Sequence, residues 1–193
     1  SFGYVLLTWF IMGFANLWTL PLRVDYVTAP EWGIEGSAIF VAMIITIIPE
    51  TMRMILIPYW ASLFDRMNFV VLRMILNLFF GLGVLLFFVT SNPLVIGLGS
   101  ALIGAAFAGG SIAWNLWVTK YAPPGKAGAY MSVHVSLTGI RGTIGPMLGY
   151  WTVGIIGAQN IGILSCAMMF FATLMLIPEI KHGRETNLKG KSL

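Results

Sequence analysis

Apolar residues run along this chain in long blocks, without the strict alternation of a half-buried strand or the narrow apolar stripe of a soluble helix. The block Tyr4–Leu22 carries no charge and ends at PLRVD. Gly36–Phe64 is longer, is interrupted by Pro49 and Pro58, and stops at DRMN. From Met74 to Thr119 there is no charge at all, which is too long for one crossing; SNP at Ser91–Pro93 supplies its turn. APPGK at Ala122–Lys126 and GAQN at Gly157–Asn160 delimit two further blocks. A helix needs about 20 mostly apolar residues to cross hydrocarbon. The pattern therefore predicts six transmembrane helices, at about 4–24, 34–64, 68–90, 93–119, 127–156 and 158–178, followed by a basic tail at 181–193.

Composition agrees. Hydrophobic residues make up 58% of the 193 and charged residues 9%, against about a quarter charged in soluble domains. The expectation is an all-α integral membrane protein in contact with a lipid bilayer. Under a six-span count, Arg66, Arg73, Lys120, Lys126, Lys181, Arg184, Lys189 and Lys191 fall on one side and only Arg23 on the other. By the positive-inside rule both termini are then cytoplasmic, as expected in a bacterial cytoplasmic (inner) membrane. The net charge of +4 includes no basic stripe that would engage nucleic acid. Cys166 is the single cysteine, so neither a disulfide framework nor a metal cluster is expected. A lone His134 is a weak basis for haem, and no cofactor is expected. The chain carries no HExxH, GxSxG or P-loop pattern, so it reads as no enzyme. The tryptophans read as anchors at the membrane interfaces.

The informative residues are the polar ones inside the blocks. At 1.5 Å per residue, Arg53 lies about 18 Å from Asp65 and Arg141 about 22 Å from Lys126, so both are placed near mid-membrane. A lipid-facing charge there costs at least about 2.5–3.5 kcal/mol. Thr46, Glu50 and Arg53 share one face of the second span, and His134, Thr138, Arg141 and Gly145 one face of the fifth. Asn16 and Thr19 mark the first span, and Ser111 and Asn115 the fourth. The third and sixth are the least polar and are expected at the periphery. The distribution predicts a polar cavity lined by spans one, two, four and five. Arg141 has no acidic residue within a helical turn; it is expected to face that cavity and bind solute or counter-ion. The competing account ties it to backbone carbonyls or to Glu50. Glu50, with Arg53 as a candidate intrahelical partner, is the leading candidate for proton coupling and His134 the second.

The chain also repeats itself. NLW occurs at Asn16–Trp18 and at Asn115–Trp117, and mid-span arginines occur in spans two and five. This is the pattern of two inverted three-helix repeats. With ASLFDRMNFVVLR at Ala61–Arg73 and GIRGTIGPMLGYW at Gly139–Trp151, the chain resembles the C-terminal six-helix half of a major facilitator superfamily transporter. The first stretch is similar to the family's loop between the second and third helices, departing from it at Asn68, where Gly is usual. The resemblance implies a gating loop carrying Asp65, Arg66 and Arg73. It further implies a secondary active transporter of a small solute, working by alternating access; Arg53 and Arg141 would offer positive charge to an anionic or zwitterionic one. Its partners would be that solute and a second six-helix half or another membrane subunit. Arg141, Arg53, Glu50, His134, Asn115, Asn16 and Thr138 would line the site. The alternative is an accessory or assembly subunit of a larger membrane complex, using the same fold without transport.

Overall fold

The computed structural model describes residues 2–31 and 33–183. Among these, six long helices follow one another with short connections. They are Phe2–Thr28, Ala38–Arg66, Phe69–Phe88, Pro93–Tyr121, Ala127–Ile156 and Ala158–Gly183, called here the first to sixth. Five are long and apolar enough to cross a membrane. The fifth has the length, at 30 residues, but its Gly, Ser and Thr content keeps its hydropathy below that of the others. The tail lies outside the described residues from position 184 onward.

Local chemistry explains the breaks. The first helix is interrupted at Leu20–Pro21, because proline has no N–H for the preceding turn. Asn68 caps the third helix by accepting from the Val70 N–H at 2.9 Å, and Asn92 caps the fourth by accepting from the Leu94 N–H at 2.9 Å. Pro93 follows at the first helical position. The fifth and sixth helices are joined by Gly157 alone, at φ +80°, a left-handed conformation that a side chain would strain.

The second helix contains one π-helical turn, Met43–Ile47, in which the Ile48 N–H reaches back five residues to the Met43 carbonyl. In that register Pro49 would serve the Ile44 carbonyl but has no N–H. The Ser100 hydroxyl of the fourth helix donates to it instead, so the orphaned acceptor becomes a bond between helices.

The helices pack in the order second, fourth, third, sixth, first, fifth. The third and sixth form the back of this arc, and the second and fifth are its two ends. The third and sixth helices, expected at the periphery, thus stand behind the cavity helices, but they are well packed against their neighbours. Half of the third helix is buried, whereas only 6% of the most apolar window of the second is. Few polar groups meant contact with other helices as readily as with lipid, since Leu, Phe and Gly suit both. Asn77 and Thr173 are accordingly buried between helices. Large apolar side chains such as Met54, Tyr59, Met147 and Trp151 stand exposed at the two ends of the arc.

The fifth helix is expected to cross the bilayer despite its polarity. In a Cys166→Ala background, cysteines introduced at Lys126 and at Gln159 should be labelled by a membrane-impermeant thiol reagent from opposite sides. Labelling of both from one side would remove that span.

Candidate functional site

Five of the seven candidate binding residues meet in one cavity. It holds about 440 Å³ and is lined by Asn16, Arg53, Asn115, Thr138 and Arg141, with Ser111 as a further polar group. These come from the first, second, fourth and fifth helices, the four expected to carry it. Phe80 is the third helix's contribution, and aromatic walls come from Trp9, Phe107 and Trp114. Glu50 and His134 are not among the lining residues. Glu50 lines a separate, smaller cavity, and His134 lies behind the wall.

Arg141 is 6% exposed and reaches across to the first helix. One terminal nitrogen donates to the Trp9 carbonyl, and the other donates to its own helix at the Thr138 hydroxyl, 3.2 Å away. No carboxylate lies within ion-pair distance of it among the described residues. The approach needs Gly13: a methyl group built there would overlap the guanidinium. The carbonyl bond considered from the sequence is thus present, and the same guanidinium also borders the cavity.

Trp9 gathers more than Arg141. The Arg73 guanidinium lies over its ring at 3.1 Å from the centroid, a cation–π contact worth about 0.5–2 kcal/mol. His134 meets three indoles, those of Trp9, Trp114 and Trp117, at centroid distances of 5.4, 5.2 and 5.3 Å. Its Nε2 is buried without a hydrogen-bond partner, as are all three guanidinium nitrogens of Arg73. Three basic side chains therefore surround one tryptophan. The repulsion between the Arg73 and Arg141 guanidiniums, and the desolvation of Arg73, are left for the aromatic faces to offset.

Several sequence expectations change here. Arg73 was counted with loop bases but sits inside the third helix, 1% exposed. Asp65 and Arg66 close the second helix itself, with only Met67 and Asn68 before the next, so the expected loop is nearly all helix. Arg23, counted on the outer side, is in the first helix at 8% exposure and donates to Asn16 Oδ1 at 2.9 Å. Trp9, Trp60 and Trp117 are buried between helices, whereas Trp151 is 68% exposed; Trp32 lies outside the described residues. The intrahelical Glu50–Arg53 pair is present at 3.4 Å. Among the described residues no group of His, Cys, Asp or Glu could hold a metal.

The sequence reading missed Trp9 as a hub and Arg23 as a buried cation. Asn16 and Arg23 are seven residues apart, two helical turns on one face, which was the available signal for the second. Nothing local marked the first, since Trp9 is assembled with partners far along the chain.

A helical bundle folded around a cavity whose polar lining is borne by four helices has a counterpart in known sequences. The family model described as Major Facilitator Superfamily matches residues 1–192. The chain belongs to the major facilitator superfamily. Members of that superfamily are membrane transporters and not enzymes, and on that ground this chain is assigned to membrane transport. No curated protein and no solved structure matches it beyond that.

Gly13→Ala is expected to drive the Arg141 guanidinium off the Trp9 carbonyl, at a cost of about 1–3 kcal/mol typical of overpacking. Combining it with Arg141→Ala should recover most of that loss, because the two side chains compete for one space. Thermal melting of the four proteins in detergent measures the coupling, and strictly additive shifts would contradict the contact.

Proposed function

We propose that the chain is one half of a secondary active transporter that binds a small anionic or zwitterionic solute in the 440 Å³ cavity. The observation that carries this reading is the cavity's lining: two arginines, two asparagines and two hydroxyls from four different helices. Arg53 and Arg141 offer fork-shaped donors matched to carboxylate or phosphate oxygens, while Asn16, Ser111, Asn115 and Thr138 supply neutral hydrogen bonds. Trp9, Trp114 and Phe107 supply aromatic walls for the rest of the lining. Glu50 is the candidate for proton coupling. It borders a different cavity but stays tied to the first through Arg53.

The outer faces of the second and fifth helices support a partner. Glu50 and Arg53 are 55% and 42% exposed in mid-helix, and lipid is a poor solvent for either. A second six-helix half laid against those faces would bury Met54, Tyr59, Met147 and Trp151 and close the cavity between the two. The packing order supports an inverted repeat. Exchanging the first three helices for the last three turns second–fourth–third–sixth–first–fifth into its own reverse. Alternating access would then rock one half against the other about Arg141 and Arg53. Both termini on the cytoplasmic side of a bacterial inner membrane fit the distribution of loop bases, with Asp65 and Arg66 at the cytoplasmic end of the second helix as gating groups.

Arg141→Lys keeps the charge and loses the fork. In proteoliposomes screened with labelled carboxylates, it should weaken solute affinity at least about tenfold, or ~1.4 kcal/mol, with the fold retained. Unchanged flux and affinity in Arg141→Ala, together with a collapsed melting temperature, would make the arginine purely structural.

A further inference from the structure

A second cavity of about 210 Å³ lies beside the main one, between the end of the first helix, the π turn of the second helix, and the fourth helix. Arg23 lines it, with Glu50, Ser100 and an otherwise apolar wall that includes Val24, Ile44, Phe87 and Ile103. Arg23 is more than nine-tenths buried. One terminal nitrogen is committed to Asn16 Oδ1 at 2.9 Å, and its Nε is buried with no acceptor. Its guanidinium carbon stands 5.8 Å from the Phe107 ring centroid, and no carboxylate among the described residues is within ion-pair distance of it.

A buried guanidinium with an unused donor is costly unless an acceptor reaches it. The acceptor that fits its fork is a carboxylate. The volume far exceeds one water, whose share of the liquid is about 30 Å³, and the wall suits a hydrocarbon stub. Glu50 does not cancel the field, because its carboxylate is held by Arg53 at 3.4 Å; Arg23, Arg53 and Glu50 together leave one positive charge. The extra residue of the π turn, a feature frequent at functional sites, places Ile44 and Ile45 in this wall.

We propose that this second cavity is a binding site for a small carboxylate with a short apolar body, held by Arg23 and separate from the site at Arg141. Phe107 borders both cavities. Asn16 lines the main one while gripping Arg23, so an occupant of the second is felt at the first. The site does not depend on what the main cavity carries.

Propionate is the probe, and saturation-transfer NMR on the full-length protein in lipid nanodiscs is the readout. An Arg141→Gln background weakens the main site by removing one of its two arginines, and substitutions in the second cavity, made in that background, read the second site apart. In that background propionate should still bind. Its affinity should fall at least tenfold on adding Arg23→Gln, and equally on adding Ile45→Phe, which fills the cavity and leaves Arg23 in place. Binding that ignores both additions, or no binding in that background, overturns the proposal.

Discussion

An arginine placed in the middle of an apolar helix with no acid near it must find oxygen atoms, and Arg141 finds them on another helix. Its bond to the Trp9 carbonyl joins the first helix to the fifth across the edge of the cavity. The contact requires a glycine at position 13 and requires the two helices to lie close together. It also leaves part of the guanidinium facing the cavity. Holding an arginine by a carbonyl, which carries no full charge, keeps its positive charge uncompensated. That is the condition for a site to attract an anion while remaining folded without one.

The rest of the bundle is arranged around the same tryptophan. Arg73 covers its ring from the third helix, and His134 meets its edge from the fifth. The third and sixth helices provide a packed back wall, and the second and fifth extend as poorly buried ends. Stability and site are thus divided among the helices. The least polar ones hold the arc together, and those with polar stripes carry the cavity.

The lengths of the helices and their turns were legible in the sequence because bilayer thickness and proline chemistry act locally. The four cavity helices were legible as well, through Asn16, Arg53, Asn115, Thr138 and Arg141, since burying a polar group in an apolar block has few other uses. Depth and partners were less accessible. Arg23 and Arg73 sit near helix ends, where a charge reads equally well as a loop base, and only tertiary packing buries them. His134 shares a helical face with Arg141 yet lies behind the cavity wall, because three indoles from two other helices close around it. Glu50 borders a neighbouring cavity although Arg53, about one helical turn further along the same helix, lines the main one.

The central claim is a water-filled, positively charged cavity between the four polar helices. The rates at which Asn115→Cys reacts with anionic and cationic methanethiosulfonate reagents of similar size, in the Cys166→Ala protein, test it most directly. Arg53 and Arg141 should make the anionic reagent the faster of the two, and Arg141→Gln should narrow the difference. No reaction with either reagent, or a faster cationic one, would contradict the account.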